Sequence, residues 1–204
     1  MATRPMMTPR RYDWNLKIDS RGREPRFRAR QIAAARLAPG ESVLDLGCGT
    51  GTTAIAAAKA VGPKGRVCAV DPALDLLAHA QKKARRAGVN VEFLTADGQR
   101  LPFDDASFDA VLCTLVFHHL DGPAMHQTIG EIRRVLKPGG RLLAVDIGGR
   151  QDPERKTFHG HTDFDLDRFI PRLPKAGFRL LDNGPIESEL RSLEKLTYFL
   201  AELE

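Results

Sequence analysis

Long apolar runs are missing from this chain. The longest uncharged stretch near its middle, Ala110 to Leu120, falls well short of the ~20 apolar residues that span a bilayer, so no transmembrane helix is expected. The N-terminus, Met-Ala-Thr-Arg-Pro, lacks an apolar stretch of ~7–15 residues behind its charges, which argues against a secretory leader. Cysteine is scarce. Cys48, Cys68 and Cys113 are an odd set lying inside apolar runs, which excludes a disulfide framework and suits buried free thiols in a reducing compartment. These absences predict a cytoplasmic protein. Internal repeats and low-complexity segments are also lacking. With 42% hydrophobic and 28% charged residues, 18 Gly and 13 Pro in 204, disorder, collagen and coiled coil are excluded. A core of this size buries roughly 70% of the surface exposed by the unfolded chain, without help from disulfides or a structural metal.

Acid is sparse at one end only. Residues 1–36 hold ten basic residues against three acidic ones, a local net of +7; the whole chain carries +5, so the other 168 residues sum to about −2. This basic N-terminal arm suits either the steering of an anionic ligand or a simple solvated face.

From residue 24 onward helical and strand periods alternate, the pattern of helices laid around a parallel sheet. Helices are expected at Pro25–Leu37, Thr52–Ala60, Ala73–Ala87 and Ala124–Leu136, the last stopped by Pro138-Gly139-Gly140. Strands are expected at Ser42–Leu46, Arg66–Val70, Val89–Leu94, Phe108–Cys113 and Arg141–Ile147, with two more at Phe178–Asp182 and Thr197–Ala201. A helix beginning at Asp165 should be broken or kinked before Ala176 by Pro171 and Pro174. We read one domain over 1–204: a basic arm and helix at 1–36, a ligand-binding core at 37–147, a polar, unpatterned lid at 148–162, and the rest of the sheet at 163–204.

The sharpest local signal is Val43-Leu44-Asp45-Leu46-Gly47-Cys48-Gly49-Thr50-Gly51, a buried strand turning through three alternate glycines into a helix. Glycine permits positive φ and a close approach of ligand to backbone, while the following helix offers free amides. The pattern departs from the dinucleotide fingerprint, whose third glycine would fall at Thr52, and it lacks the Gly-Lys-Ser/Thr of a phosphate loop.

In order along the chain, Asp45 to Gly51, Val70-Asp71, Ala96-Asp97-Gly98 with Leu101-Pro102-Phe103, Ser107 to Val111, His118-His119-Leu120 and Arg134 to Gly140 resemble the class I S-adenosylmethionine-dependent methyltransferases. Within that family the resemblance is to the small-molecule group that includes the ubiquinone/menaquinone C-methyltransferases. It is dense over about residues 36–147 and loose at the flanks. It implies a Rossmann-like, doubly wound α/β sheet of seven strands, order 3-2-1-4-5-7-6 with strand 7 antiparallel, and S-adenosyl-L-methionine as cofactor. It also implies that Gly47, Gly49, Gly51 and the backbone at Cys48 hold the methionine part while Asp45 orients its ammonium. Asp71 would accept from the ribose hydroxyls, Asp97 from the adenine amino group, and the Gly98 amide would donate to the ring; Pro72 and Thr114 belong to the same site. Independently of family, these residues fall at the carboxyl ends of expected strands, where open α/β sheets bind ligands.

A sulfonium methyl is already activated, so the protein's main task is to hold an acceptor in line. Positioning contributes roughly 7–11 kcal/mol, against roughly 3–5 kcal/mol from a general base. His118 and His119, then Asp146, are the candidate catalytic residues. His159 and His161 with His118 and His119 have no spacing fixed on one element, and no metal site is expected. Tyr12, Trp14 and Phe27 are candidates to cover the cofactor and wall an apolar acceptor site. The expected partner is a small, partly apolar metabolite. A nucleic-acid acceptor, for which the basic arm argues, and a cofactor-binding protein without transferase activity are the alternatives.

Overall fold

Seven strands join in one sheet in the computed structural model, which describes residues 8–148, 165–188 and 195–204. They are β1 (Ser42–Leu46), β2 (Arg66–Asp71), β3 (Glu92–Thr95), β4 (Phe108–Thr114), β5 (Leu136–Ile147), β6 (Phe178–Pro185) and β7 (Leu196–Leu203). In space they run β3-β2-β1-β4-β5-β7-β6. The first five pair in parallel, and β7 lies antiparallel to both β5 and β6. This is the order that the family resemblance implied.

The central strands are near-continuous apolar runs because both their faces are covered. Five helices, α1 (Pro9–Asp19), α2 (Glu24–Ala35), α3 (Thr52–Val61), α4 (Leu74–Arg86) and α5 (Gly122–Val135), supply most of the cover. Successive strand residues point to opposite layers. Val43, Val67, Leu112 and Val145 pack with Phe27 of α2, Ala54 and Ala57 of α3 and Leu77 of α4. Leu44, Val70, Val111 and Leu142 pack on the other side with Ile129, Ile132 and Val135 of α5, and with Leu166 and Leu173.

Four local departures from the sequence pattern have physical causes. Val89 to Val91 do not begin β3: Gly88 turns left-handed at φ +67 and the Val89 amide bonds back to Ala84, so those residues serve to leave α4. Pro138-Gly139-Gly140 does not end before a fresh strand. Phe108 already pairs with Leu136, the ladder resumes at Ala110 with Arg141, and the glycines form the irregularity between them inside β5. Asp165 to Ala176 is three 3-10 turns, Leu166–Arg168, Ile170–Arg172 and Pro174–Ala176, rather than a kinked helix. Pro171 and Pro174 each sit at the opening of a turn, where the missing N–H does no harm but where it prevents an α ladder from continuing.

The fourth concerns the basic arm, whose described part is two helices joined through a left-handed Arg21-Gly22 turn. Phe27 is 0% exposed among the core residues and so cannot wall an acceptor site, whereas Trp14 is 61% exposed on the surface of α1. The Tyr12 side chain, His159, His161 and the expected lid beyond Gly148 lie outside the described residues.

Because Phe27 fastens α2 to the sheet, Phe27→Ala is expected to lower unfolding free energy by ~3–5 kcal/mol, as truncation of a fully buried aromatic does. Denaturant unfolding measures it, and a loss below about 1 kcal/mol would show that α2 is held by its polar contacts instead.

Candidate active site

The strand register brings the polar candidates to one edge. Leu46 of β1 pairs with Val70 and with Cys113, Asp71 pairs with Thr95, and Thr114 pairs with Val145. Gly47, Asp71, Asp97, Thr114 and Asp146 therefore all lie at or just beyond the carboxyl ends of five adjacent parallel strands. Four steps of about 4.8 Å separate the outer two strands, so the row extends about 19 Å.

At its centre the chain turns out of β1. The Gly47 and Cys48 amides both donate to the Val70 carbonyl at 2.9 Å, and the Gly49 amide donates to Asp71 Oδ2 at 2.9 Å. The loop takes left-handed backbone at Gly47, Gly49 and Gly51, but the three glycines do different work. A Cβ on Gly47 would lie 2.4 Å from Val116 Cγ2, and one on Gly51 2.8 Å from Ala80 Cβ, so these two let neighbouring elements close in. A Cβ on Gly49 would meet nothing within 4 Å: the tip of the loop opens on free space.

Asp71 is buried, which pushes its carboxyl up; the Ala73 and Gly49 amides, each donating at 2.9 Å, oppose that shift without cancelling it. Pro72 beside it is exposed. Asp45 lies deeper, at 1% exposure, and its Oδ2 has no hydrogen-bond partner among the described residues. Burial pushes its carboxyl up to about 7, against the opposing pull of the Arg28 charge and the Ala54 amide. A buried oxygen with nothing to bond is costly, and it suits a donor brought by a ligand.

Asp97 is exposed and forms a local turn, its Oδ1 accepting from the Gln99 amide at 3.0 Å. Gly98 packs where a Cβ would come within 3.2 Å of Thr128 on α5. The loop that carries both is moored to α5: Arg134 donates to the Leu101 and Phe103 carbonyls at 3.0 and 2.7 Å, and Glu131 accepts the Leu101 amide at 2.7 Å. Cys48, Cys68 and Cys113 are free and buried, with burial pushing every thiol up, so their side chains are core groups and only the Cys48 backbone belongs to the loop.

His118 and Asp146 come together as a buried pair, Nδ1 to Oδ1 at 2.7 Å, and the His118 and Ile147 amides also donate to that carboxylate. The 3-10 turn Phe117–His119 is thereby fixed to β5. His119 is exposed, its ring 3.9 Å from that of His118.

Three residues at this edge were not singled out from the sequence. Arg28 donates to Glu24 Oε1, to Gln31 Oε1 at 3.0 Å and to Thr53 Oγ1 at 3.2 Å, and Gln31 donates to Thr114 Oγ1 at 3.2 Å. Glu24, Arg28 and Gln31 recur at four and three residues, one face of a helix. That spacing was the available signal. Only the packing of Phe27 shows that the face points inward.

A methyltransferase-domain family model matches residues 43–140. The demethylmenaquinone methyltransferase of Thermus thermophilus is 38% identical over 137 residues, covering 67% of this chain and 61% of that protein. A ubiquinone/menaquinone biosynthesis C-methyltransferase of Burkholderia mallei is 34% identical over 147 residues, covering 72% and 60%. The chain thus spans less than two thirds of the length of these relatives. Among solved structures, a SAM-dependent methyltransferase from Aquifex aeolicus superposes with a TM-score of 0.78 at 24% identity, over 97% of this chain and 100% of that one. The [4+2]-cyclase SpnF superposes at 0.73 with 22% identity, over 87% and 80%. These likenesses show the fold, and the second shows it carrying a different chemistry.

The state of Asp45 gives a signed pH dependence. With the folded value near 7 and the unfolded one near 3.9, the protonated acid favours the fold. Its contribution is whole below about pH 4 and is lost as pH rises through about 7. The ligand-free protein is expected to lose stability between about pH 4 and 7, and Asp45→Asn to flatten that limb. Parallel pH–stability curves for wild type and variant would contradict the assignment.

Proposed function

From the class I S-adenosylmethionine-dependent methyltransferases, to which the chain belongs through residues 43–140, we propose a function of in-line methyl transfer to a small, partly apolar acceptor. The observation that carries it is the row of Asp45, Asp71 and Asp97 at the ends of β1, β2 and β3 beneath a glycine loop that opens at Gly49. The residues fit S-adenosylmethionine. Asp45 offers an unmatched carboxylate oxygen to its ammonium, and Arg28, close enough to act on Asp45 by charge, suits its carboxylate. Gly47, Cys48, Gly49 and Gly51 hold the methionine part through their backbone, and Pro72 and Thr114 border it. Asp71 keeps lone pairs for the two ribose hydroxyls while accepting the Gly49 and Ala73 amides. Asp97 and the Gly98 amide take the adenine.

When bound, the cofactor supplies a sulfonium methyl already activated for transfer. The chain's part is to orient the acceptor, and positioning outweighs what a general base adds. The side chain of His118 is 0% exposed and locked to Asp146, which suits a pair that positions the Phe117–His119 turn. His119, the exposed neighbour, is the histidine placed to meet an acceptor. For the acceptor we propose a quinone-type ring methylated at carbon; the names of the Thermus and Burkholderia relatives support that class. Three buried, unpaired thiols support a reducing compartment, the cytoplasm.

Calorimetric titration with S-adenosylmethionine and S-adenosylhomocysteine is expected to show binding. Asp71→Ala should weaken it about 10–150-fold, the loss of charge-assisted hydrogen bonds worth roughly 1.5–3 kcal/mol. Unchanged affinity in the folded variant would overturn the ribose role. Labelled methyl from the cofactor should then appear on reduced quinones in a panel with phenols, amines and thiols; transfer to none of them would overturn the acceptor class.

A further inference from the structure

The far side of α1 carries a feature that methyl transfer does not use. One side of this helix is fixed: Asp13 accepts from Thr50 Oγ1 at 2.7 Å and pairs with His79 Nε2 and Lys83 Nζ, each at 2.9 Å. Burial pushes the Asp13 carboxyl up, but the bonds from Lys83, Thr50 and His79 outweigh it and hold the group below its usual range. α1 is thus clamped to α4 and to the glycine loop. Its orientation is set, and the opposite face is presented to solvent.

That face holds Trp14 and Ile18, one helical turn apart and 61% and 59% exposed, flanked by exposed Arg10, Arg11 and Lys17, with Arg21 just beyond the helix end. Of the two acids in the helix, Asp13 is engaged by Lys83 and His79 and Asp19, at the last position, is half-buried, whereas Arg10, Arg11 and Lys17 are exposed. A large indole and a branched aliphatic side chain at i and i+4, ringed by cations, is the composition of a helix lying in the headgroup region of an anionic bilayer. Two other occupants fit less well. Nucleic acid would use the cations and the indole, but Ile18 has no ring on which a base can stack. A second copy docking on the same face would bring like charges together.

We propose that the outer face of α1 is a docking surface for anionic lipid bilayers, with Trp14 and Ile18 entering the headgroup layer and Arg10, Arg11, Lys17 and Arg21 engaging lipid phosphates. Docking here sets the bilayer on one side of α1 while the glycine loop is held on the other, through Asp13 and Thr50. The inference stands apart from methyl transfer, since it concerns a surface and not the reaction.

Trp14 is the sole tryptophan, so intrinsic emission reports on this face alone. The full chain is titrated with vesicles of phosphatidylcholine and with vesicles in which phosphatidylglycerol replaces part of it. A blue shift and co-sedimentation are expected with the anionic vesicles only, both reversed by high salt. Removing Arg10 and Arg11 together should weaken binding roughly 25-fold, about fivefold for each charge near the surface. Ile18→Ser followed by emission, and Trp14→Ala followed by sedimentation, should each weaken it about tenfold; all these side chains are exposed, and circular dichroism verifies the fold. No response to either vesicle overturns the proposal. So does equal binding to pure phosphatidylcholine that ignores the arginine variants. A shift produced by RNA and not by vesicles, or a self-association abolished by Trp14→Ala, would likewise overturn it and give the face to that occupant.

Discussion

The hydrogen bond from the Gly49 amide to Asp71 Oδ2, 2.9 Å long, joins the ends of two neighbouring strands, and the geometry of the site follows from it. With the Gly47 and Cys48 amides on the Val70 carbonyl, it fixes the loop leaving β1 against the last residues of β2. A loop so tethered must reverse within a few residues, which it does through left-handed backbone at 47, 49 and 51. Side chains are excluded at two of these positions by Val116 and by Ala80 with Phe93, so the segment after β4, with α4 and β3, can crowd the loop from both sides. What remains open is the space at Gly49, bordered by Asp71 and underlain by Asp45.

Charge explains why this edge is set up to bind rather than merely to fold. Burying a carboxylate is unfavourable unless hydrogen bonds or an opposite charge compensate it. Asp71 has two amides, and Asp146 has the His118 ring and two amides. Asp45 differs, because one of its oxygens is unmatched and its carboxyl responds by rising to about 7. Such a group is a standing cost to the empty protein and a gain once a cation meets it. The basic arm divides along the same line: Arg28 is turned inward toward Asp45, while Arg10, Arg11 and Lys17 of α1 face water.

Much of this was legible in the residues. β1 begins and ends where its apolar run does, and the glycine spacing with an acid 22 residues on marks the strand-end crossing. Other parts of the same motif strings hold the fold instead. Asp109 and Lys137 form an ion pair at 2.7 Å that also receives the Ser42 amide, stapling β1, β4 and β5 at the edge opposite the site. Arg134 moors the loop after β3. What could not be read was the facing of side chains in the arm. A net charge of +7 over 36 residues is the same number whether an arginine is turned in or out. Phe27 and Trp14 are alike as aromatics in a basic segment, yet one is core and the other surface.

The central claim is that the Gly49–Asp71 crossing and the unmatched Asp45 oxygen form one ligand site. A crystal structure grown with S-adenosylhomocysteine tests it most directly. The account predicts ligand density along the carboxyl edge from Asp97 to Arg28, with the ribose oxygens on Asp71 and the amine in hydrogen-bond reach of Asp45 Oδ2. Density elsewhere, or a bound ligand that leaves Asp45 Oδ2 unmatched, would contradict it.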